Sequence, residues 1–337
     1  MEMVDRPYRD AFLQWSEDKE KVVVLTADLT NSCEVGEWRD RYSRDNRYFS
    51  MGMAEQNMMS FAGGLAREGF FPYIHTFAVF IYRRPYDQLA MSIAYPNLPV
   101  RMMGFLPGIT TPGGVTHQAI DDLAIMRATP NMTVISVAEA TETETFLDAV
   151  QAVRGPVYVR LVRGSIPRLF DAREKFEFNK ARVLSAGDDV TIFSESICTE
   201  EVMRTTEVLK KKGINVRHLH VSTIKPFTDP QIVEAIRDSK TGVITVENHL
   251  VDGGLGTAVS EIMSQHGIPK KLVKLGVQDQ YAHGASKNYL MKHVGIDGMS
   301  IVGAVEKMIG RSLSIEESML KEARIEPVFS ASKAEAL

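Results

Sequence analysis

The feature that most restricts the fold is a repeated alternation of short apolar runs with stretches of helical period. Runs at 22–27, 71–75, 100–105, 133–137 and 157–161 are rich in Val, Ile, Leu and aromatic residues. Helical patterns at 54–67, 85–94, 119–127 and 139–153 lie between them. Strands that are apolar without a polar face must be covered on both sides, and a parallel pair requires a long crossover between its strands. The alternation therefore predicts an α/β fold in which a mostly parallel sheet has helices on both faces. After a charged, strand-like connection at 176–184 the pattern repeats, with strands at 190–194, 215–220, 242–247 and 271–275. Helices are predicted at 199–212, 229–238, 255–266 and 301–309, the second opening on Asp229-Pro230 in an N-cap and first-turn arrangement. Two domains of this kind are expected, 1–172 and 173–312, followed by an exposed tail at 313–337.

Composition removes several function classes. A length of 337 residues suits two domains, and a net charge of −4 gives no basic footprint for nucleic acid. No run approaches the ~20 apolar residues of a membrane-spanning helix. The N-terminal MEMVDRPYRD is polar and lacks a signal-peptide core, so no membrane association and a cytoplasmic location are expected. Cys33 and Cys198 are the only cysteines and are far apart, which excludes a disulfide scaffold and a cysteine zinc site. His249, His283 and His293 have no metal-ligand spacing, so no metal site is expected within this chain.

The stretch 51–88 concentrates the chemistry. A Gly-Met-Ala turn delivers Glu55 into the first turn of a helix, and Phe77, Phe80 and Tyr82 follow a short strand. An acid at a helix start is ordinarily accounted for by the helix dipole, and the aromatic residues by the core. An acid with aromatic residues shortly after it is also the layout that grips a flat, nitrogen-containing ring. The complete string, G-M-A-E-Q then H-T-F-A-V-F then R-R-P-Y-D-Q, resembles the pyrimidine-binding domain of transketolase and deoxyxylulose phosphate synthase, enzymes that use thiamine diphosphate.

That resemblance implies roles residue by residue. Glu55 is expected to share a proton with a pyrimidine nitrogen of thiamine diphosphate, with Phe80 stacked on the ring and Phe77 beside it. In A-D-L-T-N-S, Asp28 matches a residue near the thiazolium, Leu29 the bulky residue that bends the cofactor, and Ser32 a ligand of the substrate phosphate. Read locally, Asp28 and Ser32 are equally well explained as an N-cap or Asx-turn. His117 ends a loop rich in Gly, Pro and Thr and is expected at a helix start, donating to a substrate oxygen. Arg163, just past a strand end, matches an arginine on the substrate's terminal phosphate; Arg9 and Arg84 match further pocket arginines. The Gly-rich 251–256 segment reads as a structural turn, because it lacks a complete dinucleotide pattern.

One part of such an enzyme is missing. The diphosphate and its magnesium or calcium ion are held in the family by Gly-Asp-Gly and a later Asn, whereas this chain has Gly187-Asp188-Asp189. The resemblance implies half an enzyme, completed by an N-terminal transketolase subunit in an α2β2 assembly. Gly113 and Phe105 stand where the family carries an Asp and a His, which disfavours ordinary sugar phosphates. A branched ketose phosphate such as apulose 4-phosphate is the donor these departures suggest, in a two-carbon ketol transfer. The alternatives are the β subunit of a 2-oxoacid dehydrogenase decarboxylase and a non-catalytic homologue.

Overall fold

The computed structural model describes residues 2–328. In the first half, the Val22–Thr26, Tyr48–Ser50, Phe71–Phe77, Arg101–Phe105, Thr133–Ser136 and Val157–Leu161 strands run parallel in one sheet. The apolar runs are central because both their faces are covered: Val22–Thr26, Arg101–Phe105 and Val157–Leu161 are buried at every position. The second half builds its own sheet from Val190–Ser194, Val216–His220, Val243–Leu250 and Leu272–Val277, all parallel. Arg182–Ala186 closes one edge of that sheet antiparallel to Val216–His220. The α/β fold with two mostly parallel sheets is thus present.

Several details differ from the sequence pattern. The 139–153 helix divides into Ala140–Thr145 and Leu147–Ala152, and the 85–94 helix into Tyr86–Gln88 and a π-helical Leu89–Ala94. The Pro7–Trp15, Gly36–Tyr42 and Lys287–Val294 helices are additional to the expected set, although Tyr8, Ala11, Phe12 and Trp15 of the first stand at helical spacing. The segment expected as an exposed tail from 313 is not exposed where it is described. Leu313, Ile315, Leu320, Ala323 and Ile325 are buried, and the Glu317–Glu322 helix packs on the second half. Its apolar residues are few and interleaved with charges, so no periodic signal marks it. Residues 329–337 of that expected tail lie outside the described residues.

The two halves are joined through buried polar groups. The Thr223–Lys225 strand leaves the second half and pairs antiparallel with Thr133–Ser136 of the first sheet. Arg160 donates to Asp122 Oδ2 at 2.8 Å and to Glu195 Oε2 at 3.1 Å, and all three side chains are fully buried. It also donates to the Asn248 carbonyl at 2.9 Å. Asn248 in turn holds the loop after Arg101–Phe105, accepting from the Ile109 N–H at 2.9 Å and donating to the Pro107 carbonyl at 3.1 Å. Gly108 lies so close that a Cβ there would sit 2.1 Å from Asn248 Oδ1, and its φ is +56°. Ile109 and Ile120, from the same loop region, are buried in the apolar core of the second half. That region, which includes His117, is therefore anchored between the halves.

Candidate active site

Glu55 opens the Glu55–Arg67 helix and is 3% exposed. Its carboxylate accepts from Arg84 Nη1 at 2.5 Å. Arg84 itself is half-exposed, with its guanidinium carbon 4.0 Å from the centre of the Phe80 ring. Beside them is an open hollow of ≈ 500 Å³ lined by Met53, Ala54, Glu55, Gln56, Asn57 and Arg84. A larger cavity of ≈ 560 Å³, between the 162–169 segment and helices of the second half, contains none of the expected site residues. The acid borders the hollow, and Arg84 connects both to the Phe80 ring.

A ring platform continues from Phe80. Phe77 lies at the end of the Phe71–Phe77 strand and stacks on Phe80, with centroids 6.0 Å apart and planes at 24°. His117 meets both rings edge-on, at 5.5 Å from Phe80 and 6.1 Å from Phe77. Its Nδ1 is hydrogen-bonded to Thr116 Oγ1 at 2.8 Å. His117 is not at a helix start, because the next helix, Asp122–Ala128, begins five residues later. It is held in a turn, so its orientation comes from the platform and the Thr116 hydroxyl rather than from a helix terminus.

The two departures noted in the sequence separate here. A Cβ at Gly113 would lie 3.0 Å from both Cβ and Cγ of His117, so any side chain at 113 would press on that ring. Phe105 is fully buried, edge-on to Tyr8 at 5.4 Å, and faces the core rather than the cleft. The expectation that Phe105 shapes substrate choice is therefore corrected. Adjacent strand residues point to opposite faces, and this one is directed inward.

The far end of the platform carries the expected anion ligands. Arg163 is exposed, lies 5.7 Å from the centre of Phe77, and donates to the Ser32 carbonyl at 3.0 Å. Glu34 accepts from the Gly164 N–H at 2.7 Å and is 7% exposed. Its pKa is raised by burial, against the pull of the Gly164 N–H, Arg6, Arg163 and Arg9. Arg9 is held by Asp10 at 2.7 Å and lies 3.6 Å from Glu37. Asp28 is exposed with a left-handed φ of 59°, and Leu29 packs half-buried on the core. Thus Glu55, Arg84, Phe80, Phe77, His117, Arg163 and Ser32 form one continuous line. Asp28 and Arg9 have no hydrogen bond or ion pair to it among the described residues, and Leu29 packs on the core cluster that includes Phe77.

Other residues of the site were not singled out in the sequence. Arg83 donates to the Val115 carbonyl at 3.2 Å and to Asp121 Oδ1 at 2.8 Å, and Tyr82 also donates to Asp121. These contacts hold both flanks of the 115–121 segment. The first arginine of R-R-P-Y-D-Q and the Asp121-Asp122 pair were the available signals. Gln118 is 1% exposed and donates to the His283 carbonyl at 3.3 Å, while its Oε1 has no partner among the described residues.

The 251–256 turn is structural as read. Glu247 accepts from the Leu255 and Gly256 N–H groups at 2.7 and 2.9 Å, filling the helix start with a protein carboxyl. Among the described residues no cluster of His, Cys, Asp and Glu is arranged to hold a metal, and no helix is long and apolar enough to cross a membrane.

Comparison with known proteins gives a consistent result. Residues 5–168 match the transketolase pyrimidine-binding domain and residues 179–301 the transketolase C-terminal domain. A putative transketolase C-terminal section of Methanocaldococcus jannaschii is 35% identical over 87% of this chain and 92% of its own. The 6-deoxy-6-sulfo-D-fructose transketolase subunit SqwH of Clostridium sp. (strain MSTE9) is 35% identical over 90% of this chain and 94% of its own. A solved structure described as a split gene transketolase, inactive beta4 tetramer, is 36% identical and superposes with a TM-score of 0.80 over 90% of this chain and 97% of that one.

Proposed function

The chain belongs to the transketolase family, and from that premise we propose that it is the pyrimidine-side subunit of a two-chain, thiamine-diphosphate-dependent transketolase. Its reaction is the transfer of a two-carbon ketol unit from a phosphorylated ketose to an acceptor. The observation that carries this reading is Glu55: a buried carboxyl beside the open hollow, next to the Phe80 ring. Those residues fit an aminopyrimidine, which needs an acid at one ring nitrogen and an aromatic face. When bound, thiamine diphosphate supplies a nucleophilic carbon and an electron sink for breaking a carbon–carbon bond.

The chain's own residues divide the remaining work. Glu55 holds a proton at the pyrimidine nitrogen and Phe80 fixes the plane of the ring. His117 donates a hydrogen bond to a substrate oxygen on which charge develops. Arg163 and Ser32 receive the anionic end, with Arg9 behind them. Asp28 and Leu29 flank the cofactor at the end of the Val22–Thr26 strand. Gly113 has no side chain to bond a substrate hydroxyl beside His117, which supports a donor whose cleavage leaves a carbonyl without a chiral hydroxyl neighbour. A branched skeleton has that property, and comparable turnover of xylulose 5-phosphate and apulose 4-phosphate would exclude it.

The sequence has no segment for the diphosphate and its divalent metal, so both fall to an N-terminal partner in an α2β2 enzyme. The relatives named as a C-terminal section and as a subunit support that division. Calorimetry of thiamine diphosphate with magnesium, on the chain alone and on the chain assembled with its partner, tests it. Tight binding is expected only in the assembly; tight binding to the isolated chain would refute the division.

A further inference from the structure

His117 belongs to the first half of the chain, yet the segment that carries it is tied to the second half at both ends. Asn248 accepts from the Ile109 N–H and donates to the Pro107 carbonyl, and the Leu250 N–H donates to the Ile120 carbonyl at 2.8 Å. Between these ends, two bonds of the 111–118 stretch are internal to it. The Gly113 N–H donates to Thr111 Oγ1 at 3.1 Å and the His117 N–H to the Gly114 carbonyl at 2.9 Å. Bonds of that kind shape a turn without fixing where it stands.

A turn of the second half lies directly on this stretch. It runs through 282–284, between the Leu272–Val277 strand and the Lys287–Val294 helix. A Cβ at Gly284 would stand 2.7 Å from the Pro112 carbonyl oxygen, and one at Gly114 3.2 Å from the Gly284 nitrogen, so the two backbones touch. Gln118, 1% exposed, donates from Nε2 to the His283 carbonyl at 3.3 Å. The 282–284 turn is itself fixed. Ala282 is buried in the core of the second half, and the His283 ring packs edge-on against Tyr289 at 5.5 Å and His293 at 5.1 Å. Stability does not account for Gln118, because its Oε1 is buried with no partner among the described residues. A buried acceptor without a hydrogen bond carries a cost that an apolar side chain of similar shape avoids. What the amide supplies is a link from the residue next to His117 to the second half.

We infer that Gln118 is a positioning residue for His117 and that it works together with Gly284. The second half thereby sets where the imidazole stands relative to the substrate oxygen, although no side chain of that half is assigned to the substrate. This rests on the ketol-transfer reading and adds to it the source of the placement of His117.

The test uses the assembled two-chain enzyme with two variants of this chain. Gln118→Met keeps the length of the side chain and removes the amide; Gly284→Ala adds a methyl group against the Pro112 carbonyl. Each is expected to lower kcat about tenfold, the effect of a small misplacement of a reacting group, with the Kd for thiamine diphosphate unchanged. Gln118→Met should also keep a Tm equal to or above that of the wild type, which a merely structural role would not allow. In a His117→Ala background neither variant should cost more than about twofold further, because residues acting through His117 then have nothing to position. An unchanged kcat in Gln118→Met, a lowered Tm in that variant, or the full tenfold loss repeated without His117 overturns the proposal. The His117 imidazole resonances of the full chain carrying labelled histidine, assigned by their loss in His117→Ala, are expected to shift in both variants. Unshifted resonances overturn the placement whatever the activity. Shifted resonances in an assembly without ketol transfer leave the placement standing and overturn the ketol-transfer reading.

Discussion

Arg84 Nη1 donates to Glu55 Oε1 at 2.5 Å while its guanidinium carbon stands 4.0 Å from the centre of the Phe80 ring. One side chain thus covers both the acid and the ring face assigned to the pyrimidine. For the ring to bind as proposed, Arg84 must give up that position. Arg84 is the solvent-facing partner of the pair, and for such a side chain an ion pair and a cation–π contact are each worth about 0.5–1 kcal/mol. Arg84→Met is therefore expected to tighten thiamine diphosphate binding to the assembled enzyme by about three- to tenfold in calorimetry. Weaker binding would instead make Arg84 a ligand of the bound state.

Glu55→Gln keeps the size of the side chain but removes its acidity. Loss of a positioned proton-holding group costs typically 10²–10⁴ in rate. The assembled enzyme should lose at least about a hundredfold in ketol transfer, with native near-UV circular dichroism. Intact activity would favour a non-catalytic role for this position.

The Arg83 contacts to Val115 and Asp121 hold the segment that carries His117. Small misplacements of a reacting group cost up to about a hundredfold. Arg83→Ala is expected to lower kcat by about ten- to a hundredfold while leaving the Kd for thiamine diphosphate unchanged, because Glu55 and Phe80 are not touched. Arg83→Lys, which keeps one donor, should recover part of the rate.

Removing Arg160 would leave Asp122 and Glu195 buried without their shared cation. Breaking one partner of a buried ion pair costs about 3–5 kcal/mol. Arg160→Met should lower the urea midpoint accordingly, and should affect the junction between the halves before either sheet.

Burial pushes the Glu247 carboxyl up to about 8 and Glu139 up to about 7. Both are raised above their unfolded values, so between about pH 5 and 8 the folded chain binds more protons than the unfolded one. Stability then falls as pH rises through that window. Urea denaturation at pH 5, 6.5 and 8 should show this decline, and Glu247→Gln should flatten its upper part.

The sequence by itself determined the central strands, though not short ones such as Tyr48–Ser50 and Thr223–Lys225, and where one acid-and-aromatic string lies. Runs such as 157–161 are apolar at most positions because both sheet faces are covered, and Val157–Leu161 emerges with the same bounds. The order Glu55, Phe77, Phe80 was legible because it is local: one helix start, one strand end and the turn after it. What only the tertiary structure decided is long-range. Ser32 and Arg163 meet across 131 positions, and Ile109 is held by Asn248 across 139. Local composition could not distinguish Phe105, turned into the core, from a residue facing the cleft, since that depends on which face of the strand its neighbours cover. Nor could it place Glu34 among arginines brought from two separate segments. Periodicity reports how each segment is buried; only chain closure brings distant charges to one place.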